Sequence, residues 1–176
     1  TSGTHRNFGR VENVYLRGWS RGVDWQYTWN SVLQNVVTVN CTNALRVFGQ
    51  SVNNDVFAPN FTTIGGAGTI AIDVLPDGGN APEGLTIHGG LIGSAERGLV
   101  ADSCLNLVIL GTKTDDLTGV GVTVDASSLQ YIGGYIASPV GAVVFNARGS
   151  PANTRSTIQD VDIRSSAGVA ITVGGN

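Results

Sequence analysis

The chain has 176 residues and a formal net charge of -3 at pH 7, with 41% apolar and only 13% charged residues, about half the usual charged share. That balance excludes a disordered chain, which would lack aliphatic residues, and a phosphate-binding surface, which needs clustered Lys and Arg, so no nucleic-acid partner is expected. No apolar run reaches the ~20 residues of a membrane span, so no membrane insertion is expected.

The 25 glycines follow no collagen period. With no methionine in the sequence, Thr1 is expected to be an internal residue of something longer. Cys41 and Cys104 cannot build a disulfide framework or a zinc site by themselves, and their apolar neighbours predict buried free thiols.

Taken in chain order, short segments recur that open with a small residue and continue with alternating apolar ones. They read Gly22-Val23-Asp24-Trp25, Ala44-Leu45-Arg46-Val47, Thr69-Ile70-Ala71-Ile72, Gly98-Leu99-Val100-Ala101, Gly121-Val122-Thr123-Val124, Ala142-Val143-Val144-Phe145 and Val169-Ala170-Ile171-Thr172-Val173. Their mean spacing is about 24 residues. A second strand is predicted before each: Val14-Tyr15-Leu16, Val36 to Val39, Phe61 to Ile64, Leu85-Thr86-Ile87, Leu107-Val108-Ile109, Tyr131-Ile132 and Val161-Asp162-Ile163. β-Branched residues dominate, and no helical stripe occurs.

A propeller blade needs ~40 residues, a leucine-rich repeat needs its own consensus, and a sandwich has no reason to repeat one motif seven times. The pattern predicts an all-β, right-handed parallel β-helix of about seven coils in a single domain spanning 1–176, its strands stacked ~4.8 Å apart. Alternation turns Ile70, Ile72, Leu99, Ala101, Val122, Val124, Val143 and Phe145 inward. It places Asp73, Asp102, Asp125 and Asn146 in one outward row at the strand ends.

Coils such as Leu85-Thr86-Ile87-His88-Gly89-Gly90 and Gly98-Leu99-Val100-Ala101-Asp102 resemble the right-handed β-helix of the pectin lyase-like superfamily. The glycine-rich, lysine-poor texture is similar to that of bacteriophage tailspikes. The resemblance spans essentially the whole chain, but it is architectural, and no pectinase catalytic Asp-Asp or Arg signature is present. It implies a homotrimer on the virion tail, outside the cell, that binds a bacterial surface polysaccharide such as capsule or O-antigen and in many cases cleaves it. The competing classes are a structural or adhesive β-helix, such as an autotransporter passenger segment, and a secreted pectate lyase-like enzyme.

Several residues are candidates for that chemistry. The row of Asp73, Asp102 and Asp125 would bring carboxylates ~4.8 or about 10 Å apart, near the separations glycosidases use; the competing role for such residues is to cap turns. Glu83 and Glu96 lie on glycine-flanked loops, and Arg97 could bind a sugar carboxylate with two prongs. Trp19, Tyr27 and Trp29 lie in turns where rings can stack on sugars, while Trp25 alternates inward. Arg17 and Arg21 flank them and suit an anionic sugar. His88, on an outward strand position, is a further candidate for sugar contact; it has no second ligand near it, so no metal site is expected, and no cofactor fingerprint is present.

Connections from Gln26 to Ser31, Gly49 to Asn60, Val74 to Gly84 and Ala147 to Ser156 read as long loops. Those after coils four and five are short. Tall walls beside bare coils predict a groove, its floor made by Val100, Asp102, Thr123 and Asp125 and its rim by Glu83, Glu96 and Arg97. The last strand has no polar cap, which adds to the expectation of a trimer or of missing neighbours.

Overall fold

The computed structural model describes residues 6–146 and 155–174. These form parallel strands and turns with no helix. Each coil visits three sheets in turn: sheet A (Arg6–Asn7, Arg10–Glu12, Thr28–Trp29, Val32–Gln34, Val52–Phe57, Glu83–His88, Leu107–Leu110, Leu129–Ile132 and Thr157–Gln159), then sheet B (Tyr15–Arg17, Val37–Cys41, Asn60–Thr63, Leu91–Ala95, Lys113–Leu117, Tyr135–Ser138 and Asp162–Ser165), then sheet C. Sheet C holds the seven strands Arg21–Gln26, Asn43–Phe48, Ile70–Leu75, Arg97–Asp102, Val120–Asp125, Gly141–Asn146 and Val169–Val173, each parallel to the next. Those are the seven recurrent segments of the sequence. The chain is a parallel β-helix of about six full turns, with the right-handed sense that crossovers between parallel strands take.

Two inward columns of sheet C carry the core. Leu45, Ile72, Leu99, Val122 and Val143 are fully buried in one, and Val47, Val74 and Ala101 in the other. Sheet A adds Leu33, Val56, Ile87, Ile109 and Tyr131, and sheet B adds Phe61, Ile92 and Ile136. A fully buried side chain of this size contributes about 1.5–3 kcal/mol. Trp25 is core in the first coil, and the two cysteines are buried free thiols, both as the sequence predicts. Burial, helped by the charge of Glu83, pushes the Cys104 thiol up to about 12.

The small residue that opens each segment marks the corner from sheet B to sheet C. A Cβ on Gly98 would lie 2.5 Å from the carbonyl oxygen of Gly121 and 2.7 Å from the Thr114 methyl. The column Gly22, Ala44, Ala71, Gly98, Gly121, Ala142 is small because the neighbouring backbone fills the space. The corner from A to B instead opens in each coil with a residue in the left-handed conformation: Asn13, Asn35, Ala58, Gly89, Gly111, Gly133 and Asp160. Asn, Asp and Gly tolerate that region best.

Three sequence expectations need correction. The second strands predicted before each segment do not form one sheet: those at Leu85, Leu107 and Tyr131 belong to sheet A, the others to sheet B. A third strand per coil lies outside the two predicted, namely Val52–Phe57, Leu91–Ala95, Lys113–Leu117 and Tyr135–Ser138. Left-handed residues such as Asn40, Ser94 and Asp116 interrupt sheet B strands and break the alternation that would reveal them. Finally, the register pairs Ile72 with Leu45 and Leu99, so the third segment is Ala71-Ile72-Asp73-Val74, two residues later than its predicted start.

Candidate ligand face on sheet C

With that register, the outward slot of sheet C reads Asp24, Arg46, Asp73, Val100, Thr123, Val144, Thr172 from the first coil to the last. Rungs ~4.8 Å apart bring consecutive side chains of this column into reach of one another. Its first three members alternate in charge. Arg46 donates from Nε and Nη2 to the two oxygens of Asp24, both at 2.8 Å. Gln26 Nε2 donates to Asp24 at 2.9 Å, and Arg21 approaches it at 3.4 Å. Burial acts to raise the Asp24 carboxyl, but the Arg46 and Gln26 hydrogen bonds and the two arginine charges outweigh it and hold it below its usual range.

Asp73 is the opposite case. It is 9% exposed, and among the described residues no donor hydrogen-bonds to its carboxyl. Burial raises its pKa, and the charges of Arg97, Arg46 and Arg21 only partly counter that rise. Arg97, on the next strand, makes no side-chain hydrogen bond or ion pair among the described residues. The result is a covered carboxyl of raised pKa, with an arginine of open donors on the adjacent strand. Such a pair can donate a proton to one part of a ligand and hold an anionic group of another.

Aromatic side chains border Arg46, the neighbour of Asp73 in the column. The Arg46 guanidinium lies 4.8 Å from the centre of the Phe48 ring, a cation–π distance. Tyr27 meets Phe48 edge-on with centroids 6.4 Å apart, and its hydroxyl donates to Asp77. That bond raises the Tyr27 phenol above its usual value, with smaller help from burial and the Asp77 charge. Asp77 sits on the loop of residues 76–82, which Asp77 and Asn80 pinch with mutual backbone bonds of 2.9 and 3.0 Å. Residues 64–69 form a second long connection. The two flank the strand that carries Asp73, one at each end.

The predicted site residues therefore divide. Arg21, Asp73 and Arg97 come together on sheet C, with Tyr27 at its edge. Asp102 and Asp125 pair in register on adjacent strands, followed by Asn146 as expected. Asp73 does not join that row, because it pairs with Arg46 and Val100. Ser103 Oγ donates to Asp102 at 2.9 Å. Glu96 closes the glycine turn: Gly68 N donates to its carboxylate at 2.5 Å, and its own N donates to Thr69 Oγ1 at 2.9 Å.

The other candidates lie on different faces. Glu83 begins a sheet A strand, and Trp29, also on sheet A, donates from Nε1 to the Gln50 carbonyl at 3.1 Å. His88 stacks on Phe57 with centroids 4.3 Å apart and approaches Asp55 at 3.3 Å. Phe57 thus covers one face of the imidazole that was expected to meet sugar. Arg17 is on sheet B, and Trp19 is 63% exposed in the turn that follows.

The expected walls form only in part. The stretches from Gln26 to Ser31 and from Gly49 to Asn60 hold strands rather than walls, and residues 147–154 lie outside the described ones. Long connections rise at coil three, beside Asp73, not around coils four and five. Sequence reasoning missed Asp24, Arg46 and Phe48; aligning the seven segments on their inward residues would have set Asp24, Arg46 and Asp73 in one column.

No protein-family model matches the sequence, and no curated protein matches it. Among solved structures, the mannuronan C-5 epimerase AlgE4 A-module of Azotobacter vinelandii is similar, with a TM-score of 0.67 at 15% identity. The match covers 96% of this chain and 56% of that one, so the chain spans little more than half of its structural neighbour. At that identity the likeness establishes the fold, a parallel β-helix.

Proposed function

We propose that this chain is a carbohydrate-binding and carbohydrate-processing β-helix, working through the outer face of sheet C. The observation that carries the reading is Asp73, a covered carboxyl of raised pKa that no donor among the described residues hydrogen-bonds, with Arg97, free of side-chain partners among those residues, on the adjacent strand. A polysaccharide crossing this face would set a sugar carboxylate on Arg97 and a glycosidic oxygen at Asp73, which gives its proton to the leaving oxygen as water adds to the anomeric carbon. Tyr27 and the loop of residues 76–82 would wall one side. The structural neighbour is named for acting on mannuronan, which supports a polysaccharide ligand.

The finer role we propose is a phage tailspike segment that recognises capsule or O-antigen during host attachment, assembled as a homotrimer. Exposed Tyr15, Trp19 and Ile64, on the side of sheet B in the first three coils, supply apolar surface for such an assembly. The test is incubation with purified bacterial surface polysaccharides, scoring new reducing ends, unsaturated-sugar absorbance and retention of the polymer. Asp73→Asn should keep binding and lose cleavage by about 10²–10⁴-fold, the usual share of a general acid. A wild-type chain that binds without cleaving selects the adhesive alternative. One that does neither ends the proposal.

A further inference from the structure

Arg46 stands between two carboxyls. In the outward column, Asp24 is its partner on one side and Asp73 its partner on the other. An arginine so placed can pair with either. It is committed to Asp24 by two hydrogen bonds of 2.8 Å, and its plane rests against Phe48. Its side chain is only 14% exposed. Gln26 adds a third hydrogen bond to Asp24 and fixes that carboxylate in place. We infer that Asp24 is a positioning residue: by holding Arg46 in a two-pronged pair, it keeps that cation off Asp73 and leaves the Asp73 carboxyl open for a ligand.

The charged groups around Asp73 make this specific. Arg46 comes from the strand on one side, Arg97 from the strand on the other, and Arg21 and Asp24 from the first strand of the sheet. Asp102, on the strand of Arg97, accepts from Ser103, and Asp77, on the following loop, accepts from Tyr27. Of the three arginines, only Arg46 both directly neighbours Asp73 in the register and is held by another carboxylate in a two-pronged pair. If Asp24 loses its charge, no carboxylate on the first strand holds Arg46, and Asp73, its other neighbour in the column, is the carboxyl left to pair with it. Asp73 then becomes an ion-paired carboxylate.

This inference deepens the reading of Asp73 as the reacting group, but its test needs no substrate. The Asp73 carboxyl is titrated by carbon-detected NMR in the wild type, in Asp24→Asn, and in Asp24→Asn combined with Arg46→Gln. Asp24→Asn should move the Asp73 midpoint down by about 1–3 units, the usual effect of an adjacent arginine. The double variant should not fall, since the cation that would move is gone; the comparison separates movement of Arg46 from mere loss of the Asp24 charge. If the chain cleaves polysaccharide, the pH profile of Asp24→Asn should shift to the acid side as well. An unchanged midpoint in Asp24→Asn, or an equal fall in the double variant, overturns the inference, whatever becomes of the polysaccharide reading.

Discussion

Along the outward column of sheet C, the first three strands present Asp24, Arg46 and Asp73, whereas the next four present Val100, Thr123, Val144 and Thr172. Across the five middle strands the inward column beneath them does not change: Leu45, Ile72, Leu99, Val122 and Val143 are all fully buried. β-Branched residues are what a pleated, half-covered surface favours, so the later coils show what the fold by itself prefers at this slot. The charged members of the early coils are a departure from that preference. Asp73 is a costly one, because covering a carboxyl without a hydrogen bond opposes folding. Local departures from what stability favours are where function is expected.

The largest effect tests the part the two regions share. Ile72→Ala and Leu99→Ala should each cost about 2–5 kcal/mol, the range for large-to-small changes in a close-packed core. Val100→Ala, at an outward position between Leu99 and Ala101, should cost far less. Urea unfolding measures all three. A cost at Ile72 well below that at Leu99 would mean that the charged coils do not share one continuous core with the others.

A smaller effect separates the regions at the corner from sheet C to sheet A. Tyr27, Gly49, Ser103 and Ala126 all take the left-handed conformation there, with φ of 52°, 65°, 55° and 45°. The later coils manage with Ser and Ala. Gly49 cannot, because a Cβ would lie 2.8 Å from Cζ of the Tyr27 ring that packs over it. Gly49→Ala should therefore cost about 1–2 kcal/mol from the backbone, with a further loss from displacing the ring. In a Tyr27→Ala background the further loss should vanish, which a double-mutant cycle reads directly. If it persists, the ring is not the reason for the glycine.

These residues also mark how far the fold and the site could be read in the sequence. Sheet C was legible in all seven strands because its small corner residue and paired inward aliphatics repeat with little interruption. Sheet B was half hidden: in Lys113-Thr114-Asp115-Asp116-Leu117 the left-handed Asp116 shifts the phase, so the apolar positions do not alternate. Asp73 and Arg97 were visible as charged residues in glycine-rich surroundings. The meeting of Asp73 with Arg46 was not, because it depends on a register two residues away from the one the third segment suggested. An error of that size keeps the face but changes the neighbour, which is why the core survived it and the acidic row did not.

The smallest effect lies in the pH dependence of stability, where Asp73 and Asp24 pull in opposite directions. The folded-state pKa of Asp73 is raised, chiefly by burial. The folded chain therefore binds that proton more tightly than the unfolded one, and stability from this group is present below the ordinary Asp range and lost as pH rises through the raised value. Asp24 is lowered in the folded state, so its contribution is present above the ordinary range and lost as pH falls. An amide at position 73 resembles the protonated acid and cannot ionise. Thermal melting of Asp73→Asn against wild type should give near-equal Tm values in acid and a higher Tm for the variant toward neutral pH, the gap opening as the wild-type carboxyl loses its proton. The variant that disables the proposed site is thus expected to be the more stable protein at neutral pH. A gap that does not change with pH, or a variant that melts lower at neutral pH, would show that Asp73 is held by partners as Asp24 is, and the contrast between the two carboxyls on which the site rests would be gone.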